Sequence, residues 1–303
     1  MSLTRRVALL SVAASLVTLL LKFGAYFLTN SVGLLSDAAE SGVNLTAALI
    51  AFAAITIADR PADDNHSYGH DKAEYFSSGA EGALILVAAV TILYAAGQRI
   101  FNPVPVENIG IGALVAGIAS AINFGVSRIM LRVSKQHDSI ALEADAHHLM
   151  TDVWTSVGVI GGVILVGLTG WALLDPLLAI AVGVNIIWMG VKLIRRSTQG
   201  LMDQSLPAPE VEVVRKAVET TAGAATPYHA LRTRKSGSRR FIDMHLLLPG
   251  RTTVQESHDL VTEIEASIQE QLANTFITIH VEPVEDNLSW DGDQIGGVAN
   301  EVK

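Results

Sequence analysis

The fold is decided by residues 140–169, which read IALEADAHHLMTDVWTSVGVIGGVILVGLT. The second half of this stretch is almost entirely apolar, whereas the first half contains Asp145, His147, His148 and Asp152. A helix needs about 20 apolar residues to cross roughly 30 Å of hydrocarbon. The stretch is therefore predicted to span a membrane, and ionisable residues inside a span are expected to be functional.

Five similar apolar stretches accompany it in a chain whose mean hydropathy is +0.39. Six spans are predicted, at about 7–29, 31–57, 75–101, 109–132, 140–169 and 173–196. Basic residues flank alternate span ends, as at Arg5, Arg60, Lys135 and Arg195, whereas the opposite loops have none. The positive-inside rule then places both termini in the cytoplasm. The membrane part is predicted to be an all-α six-helix bundle.

From about Ser205 onward the composition is that of a water-soluble domain. A helical pattern near 210–222 precedes strand patterns at 231–233 and 241–248, an amphipathic helix at 254–272 and a strand at 276–281. This order predicts a cytosolic α+β (αββαβ) domain. Residues 1–206 are thus assigned to a six-span transmembrane domain, 207–285 to the cytosolic domain, and 286–303 to a disordered tail.

Charge and cysteine content narrow the classes of ligand. The net charge of −9 lies largely in the soluble half and argues against binding nucleic acid. The chain has no cysteine, so a thiolate metal site is excluded. Any bound metal must use histidine, carboxylate, amide or water ligands.

Two pairs of polar residues stand on different predicted spans. Glu40 and Asn44 lie four residues apart in the second span, and His148 and Asp152 lie four apart in the fifth. That spacing places each pair on one helix face, about 6 Å apart along the axis. Facing each other, the four groups could enclose one divalent cation tetrahedrally, and two carboxylates would cancel its charge. The alternative is that they only join helices through hydrogen bonds.

Other ionisable residues accompany these pairs. Asp37 and Asp145 lie within a turn of them and are expected to support the ligands or to line a pathway. Glu81, in the third span, could line an access path or close a cavity. His147 is about 100° around the helix from His148 and should face another surface.

Several motifs resemble those of the cation diffusion facilitator family, near its bacterial zinc and ferrous-iron efflux branch. The second span contains SDAAESGVN at 36–44, the fifth ADAHHLMTD at 144–152, and the loop after the second span DDNHSYGHDKAE at 63–74. The resemblance extends through about Asp286. The family usually has His or Asp, then Asp four residues later, in the second span, whereas this chain has Glu40 and Asn44.

The resemblance implies two further metal sites and a partner. Asp63, His66 and His70 match a loop site, although a solvated polar loop is the alternative. A binuclear cytosolic site is implied at five positions: His229, His245, His258, His280 and Glu282. Lys72 and Asp203 match a charge pair between protomers, which implies a homodimer in the bacterial inner (plasma) membrane, surrounded by lipid.

The functional expectation is secondary transport. Zn²⁺ or Fe²⁺ would be the cargo and also the structural ion, with Mn²⁺, Co²⁺ and Ni²⁺ compatible, and protons would be exchanged for metal. The alternative is a non-transporting metal sensor or scaffold with the same fold. A membrane metalloenzyme is disfavoured because the spans contain no His-Glu-x-x-His pattern.

Overall fold

The computed structural model describes residues 1–29, 32–101, 110–171 and 173–290. Some side chains within the described helices are also outside the description, among them those of Asp37, Glu40 and Asp175. The chain divides into two compact units, Met1–Gln199 and Gly200–Lys303.

The first unit consists of long helices formed by the apolar stretches. They are α1 (Leu3–Thr29), α2 (Val32–Ala58), α3 (Ala73–Phe101), α4 (Gly110–His137), α5 (Ile140–Thr169) and α6 (Leu174–Leu201). Among the described residues, segments of all these helices except α5 are long and apolar enough to cross a membrane. The predicted helical membrane part is therefore confirmed.

Helix α5 lies at the centre of this unit. It contacts α1, α2, α3 and α4, and α1 also packs against α2 and α4. The beginnings of α3 and α5 are joined because a carboxylate oxygen of Glu74 accepts hydrogen bonds from the Ser139 hydroxyl at 2.7 Å and the Ala141 backbone N–H at 3.2 Å. The polar first half of α5 is consequently enclosed by neighbouring helices.

Small residues allow α3 and α6 to approach closely. A Cβ atom added to Gly82 would lie 2.7 Å from Cγ1 of Ile194, and one added to Gly190 would lie 2.8 Å from Cδ2 of Leu86. Close helix contacts through small residues are typical of membrane proteins, where packing rather than water exclusion drives association.

The second unit confirms the predicted αββαβ order. Helix α7 (Ala208–Ala222) precedes β1 (Tyr228–Ser236), β2 (Arg239–Leu248), α8 (Val254–Gln271) and β3 (Thr275–Pro283). The sheet order is β1-β2-β3, with β1 antiparallel and β3 parallel to β2. The β1–β2 turn passes through Gly237 at φ 56°, a conformation that favours glycine.

Alternation along the strands separates two faces of the sheet. Ile242, Met244 and Leu246 of β2 belong to the buried core, together with Ile264 and Ile268 of α8. The residues between them, including His245, face the opposite side because successive strand side chains alternate. One face of the sheet is thus covered by helices, and the other carries polar residues.

The start of the predicted tail is ordered in part. Asn287–Trp290 forms a short 3-10 helix, and the Trp290 indole N–H donates to the Val284 carbonyl at 3.0 Å. Residues 291–303 lie outside the described residues.

Candidate metal centre

Polar residues of α2 and α5 meet in the interior of the helical unit. Nε2 of His148 lies 2.8 Å from Oδ1 of Asn44, and the Asn44 amide donates a hydrogen bond to Oδ2 of Asp152. Asn44 and His148 are only 6% and 5% exposed. Three of the four predicted donors therefore share one buried location. The fourth, Glu40, precedes Asn44 by one turn of α2, and its side chain is outside the described residues.

Asn123 of α4 reaches the same location, although it was not among the predicted site residues. Its Nδ2 donates to Oδ2 of Asp152 at 3.2 Å, and the side chain is buried. The available sequence signal was a single amide within an otherwise apolar helix segment, which in a membrane needs a partner. The spacing of that one residue gave no indication of which helix it would meet.

Two more carboxyl groups, those of Glu81 and Asp145, are completely buried in the helical unit. Oε1 of Glu81 accepts a hydrogen bond from the Ser77 hydroxyl at 3.2 Å. Oε2 of Glu81 and both carboxyl oxygens of Asp145 have no hydrogen-bond partner among the described residues.

Other polar residues of α5 form a separate group. The Arg196 guanidinium pairs with Glu143, and Nε2 of His147 lies 3.9 Å from the Glu143 carboxylate. His147 is thus placed with Glu143, as expected from its position around the helix relative to His148.

The loop between α2 and α3 contains a compact cluster of Asp63, His66 and His70. The Asp63 carboxylate lies 3.2 Å from Nδ1 of His66 and 3.3 Å from Nε2 of His70. One donor atom from each residue lies within 4.8 Å of the others, a spacing suited to a metal ion. The backbone N–H of His66 donates to Asp63 and lowers the pKa of this carboxyl below its ordinary value.

A second cluster crosses the open face of the sheet. His229, His245 and His280 are paired positions on the three strands, so the sheet register places them side by side. Glu282 lies 2.9 Å from His229 and 3.3 Å from His245, and donor atoms of these three residues could hold one ion. Nε2 of His280 is 3.6 Å from the same carboxylate.

His258 is not brought into this cluster by the described part of the chain. It is an exposed residue on α8. Helix α8 packs on the core face of the sheet, through Ile264 and Ile268, whereas His245 lies on the other face. The described residues thus bring three of the four cytosolic histidines together, and the part of His258 in the binuclear site stays a prediction.

Two family models match the chain. One describes a cation efflux transmembrane domain and matches residues 8–202, and the other describes the cytoplasmic domain of a cation efflux protein and matches residues 206–284. The chain belongs to the cation efflux family. This result confirms the resemblance to cation diffusion facilitators, a family of membrane transporters.

Relatives in the cation efflux family match along nearly their whole length. The uncharacterized transporter sll1263 of Synechocystis sp. is 49% identical over 95% of this chain and 93% of its own. The cation-efflux pump FieF of Shewanella oneidensis is 30% identical over 91% of this chain and 92% of its own. A solved structure of CzrB in a Zn form, described as a zinc transporter, is 36% identical over 27% of this chain and 93% of its own, with a TM-score of 0.25.

Asp203, one member of the charge pair that the resemblance implies, has an ionic partner within the second unit. Asp203 lies 3.5 Å from Nη1 of Arg234, and its backbone has a positive φ of 55°. Arg234 also stacks on Phe241, with the guanidinium carbon 4.1 Å from the ring centre. Asp203 is therefore held at the start of the cytosolic unit by a strand residue, whatever Lys72 contacts.

Proposed function

We propose that this protein exports a divalent cation across the bacterial inner membrane, with Zn²⁺ or Fe²⁺ as cargo, in exchange for protons. The observation that carries this proposal is the meeting of Asn44, His148 and Asp152 in the buried interior of the helical unit. Histidine, carboxylate and amide are donors for first-row divalent metals. Their burial on two helices supports a transport role over a surface binding role.

Electrostatics explains why a cation would occupy this location. A carboxylate inside a membrane is costly unless a partner neutralises it. A divalent ion bound to Asp152, with Glu40 supplying a second carboxylate, would leave no net charge. The hydrogen bonds between Asn44, His148 and Asp152 would satisfy the same groups when no metal is bound, so the donors have partners in both states.

Proton exchange follows from the chemistry of the ligands. A histidine binds metal only as a neutral imidazole, and a carboxylate binds metal only when ionised. Protons and metal therefore compete for His148 and Asp152. Protonation on the far side of the membrane would release the cation and return the empty site without charge, which is the requirement for antiport.

The loop and cytosolic clusters are proposed to bind the same metal on the cytoplasmic side. The loop cluster, defined as Asp63, His66 and His70, is exposed or only half-buried and could receive cations from solution. The cytosolic cluster, defined as His229, His245, His280 and Glu282, would join all three strands once an ion is bound. We further propose a homodimer in which Lys72 and Asp203 contribute a charge pair between protomers.

The test is metal flux into proteoliposomes with Asp152→Asn. This change preserves the size of the side chain but removes the charge that binds metal. Residues that only support metal ligands already contribute about 10- to 100-fold to metal affinity or activity. Loss of a ligand itself should therefore lower the flux by at least about 100-fold. Asp138→Asn is the matched control, since Asp138 lies between α4 and α5 and has a positive φ of 54° that asparagine tolerates.

Flux of the Asp152→Asn protein equal to that of the wild type would overturn this site assignment. Metal binding to the wild-type protein without any flux would instead favour the sensor or scaffold. A pH indicator trapped in the liposomes measures the coupled proton movement. Absence of proton movement during metal uptake would exclude antiport.

A further inference from the structure

Asn123 of α4 has a side chain that only partly satisfies its hydrogen-bonding groups. Nδ2 donates to Oδ2 of Asp152 at 3.2 Å, whereas Oδ1 is buried and has no hydrogen-bond partner among the described residues. The residue as a whole is 4% exposed. A buried acceptor without a partner requires an explanation, such as an ion or a water molecule.

We propose that the Asn123 amide oxygen is a ligand of the transported cation, supplied by a third helix. The proposal rests on the export function proposed above. It extends the site beyond the α2 and α5 residues to α4. Because α4 packs against α5, an ion bound by Asn44, Asp152 and Asn123 would join three helices at one point.

The geometry permits this coordination with little movement. The oxygen and nitrogen of an amide are roughly 2.3 Å apart, given C=O and C–N bonds of about 1.2 and 1.3 Å. Oδ1 of Asn123 thus lies within roughly 5.5 Å of Oδ2 of Asp152, the sum of this separation and the 3.2 Å hydrogen bond. Two oxygens bound to one ion at about 2.1 Å are at most roughly 4.2 Å apart. A side-chain rotation closes the difference.

Asn123 would change the preference among metals. With Asn44, His148, Asp152 and Glu40, a fifth protein donor gives one nitrogen and four oxygens. Zinc sites are mostly four-coordinate and tetrahedral, whereas oxygen-rich sites with more ligands suit harder ions. Asn123 should therefore favour Fe²⁺ and Mn²⁺ relative to Zn²⁺, which deepens the proposed function by narrowing its cargo toward Fe²⁺.

The experiment compares Asn123→Ala and Asn123→Asp in full-length protein. Proteoliposome flux is measured for Fe²⁺, Mn²⁺ and Zn²⁺ under anaerobic conditions. Asn123→Ala should lower Fe²⁺ and Mn²⁺ flux by about tenfold or more, because loss of a ligand should reduce activity at least as much as loss of a residue that supports a ligand. Zn²⁺ flux should fall much less, because zinc is usually bound by four ligands. Ser134→Ala, farther along α4, is the matched control and should leave the ratios unchanged, because the Ser134 hydroxyl already donates to the Leu131 carbonyl at 3.1 Å.

Asn123→Asp separates ligation from simple positioning of Asp152. Aspartate keeps an oxygen ligand but loses the N–H that donates to Asp152, and it adds a like charge. Ligation predicts that Asn123→Asp binds metal at least as tightly as the wild type. A positioning role predicts that it is impaired as much as Asn123→Ala, and that result would overturn the proposal.

Cobalt absorption gives a readout that does not depend on transport. Tetrahedral Co²⁺ absorbs visible light more strongly than five- or six-coordinate Co²⁺, and the spectrum of Asp152→Asn can be subtracted to remove the loop and cytosolic clusters. Asn123→Ala should increase the difference spectrum through loss of a ligand. Difference spectra and flux ratios that equal those of Ser134→Ala would contradict the proposal. Unchanged flux in Asp152→Asn would instead contradict the site itself.

Discussion

At the scale of single residues, the three candidate metal groups differ in how they are held. His148 and Asn44 are buried between helices, whereas the loop cluster is formed by side chains close in sequence. Asp63 organises the loop because it accepts backbone hydrogen bonds from Asn65 at 3.0 Å and from His66 at 2.7 Å. The same carboxylate faces both loop histidines, so backbone shape and metal affinity depend on one residue.

Asp63→Asn is predicted to weaken metal binding by the loop cluster by about tenfold or more, because it removes the only carboxylate charge of that group. Asp64→Asn is the control, since Asp64 is an exposed neighbour outside the cluster. Titration calorimetry of the full-length protein in the His245→Ala, Asp152→Asn background would isolate the loop. Equal effects of the two asparagine substitutions would refute a specific role for Asp63.

The pH dependence of this cluster has a definite sign. The pKa of Asp63 is lowered from 3.8, chiefly by the hydrogen bond from the His66 backbone N–H. A group whose pKa is lowered in the folded protein stays ionised, and keeps its interactions, until the pH falls below its ordinary value. Metal released by acidification to about pH 5 should therefore reflect ligands other than Asp63, since an ordinary aspartate titrates near 3.9. Calorimetry at pH 7 and pH 5 with Asp63→Asn measures this difference.

At the scale of elements, the membrane helices were predictable and their contacts were not. The length of a membrane helix must match the thickness of the hydrocarbon layer. The length of each apolar run is a property of its own residues, so each helix could be predicted locally. The spacing of Glu40, Asn44, His148 and Asp152 predicted one polar face on each of two helices. Which faces meet depends on packing between helices distant in sequence, and Asn123 shows this, because its partner Asp152 is 29 residues away on another helix.

Gly82→Ala is predicted to destabilise the contact between α3 and α6. The new Cβ would lie 2.7 Å from Cγ1 of Ile194 and 3.3 Å from the Gly190 carbonyl oxygen. Overpacking of this kind costs about 1–3 kcal/mol. The melting temperature in detergent, followed by size-exclusion chromatography after heating, should fall.

Gly97→Ala is the control on the same helix, because a Cβ there would have no neighbour within 4 Å. Alanine within a helix is favoured over glycine by about 0.5–1 kcal/mol, so this variant should melt at the same or a higher temperature. A similar decrease in melting temperature in both variants would contradict the claim that Gly82 is needed for the close contact between α3 and α6.

At the scale of the whole molecule, six long helices and an α+β unit agree with the cation efflux family matches. An even number of crossings would return the chain to its starting side before the second unit. Helix α5 holds the polar residues of the site in its first half and an apolar run in its second half. A crossing by α5 makes the number of crossings even, so it decides whether the two ends of the helical unit lie on the same side of the membrane.

Single-cysteine labelling can test that orientation, because the chain contains no cysteine. His137→Cys, at the end of α4, and Trp171→Cys, between α5 and α6, lie on either side of α5. If α5 crosses the membrane, an impermeant maleimide should label Trp171→Cys from the periplasmic side and His137→Cys only from the cytoplasmic side. Ser67→Cys, in the loop before α3, should behave like His137→Cys. Labelling of both His137→Cys and Trp171→Cys from the same side would exclude the six-span arrangement.

The sequence alone determined the helices, the order of helices and strands along the chain, and the residue types available for binding metal. Hydrophobic periodicity and run length are local, so each element could be predicted from its own residues. Tertiary structure decided which of those residues meet. Sheet register aligned His229, His245 and His280, and helix packing brought Asn123 to Asp152. These outcomes depend on contacts between distant segments, which no local pattern specifies.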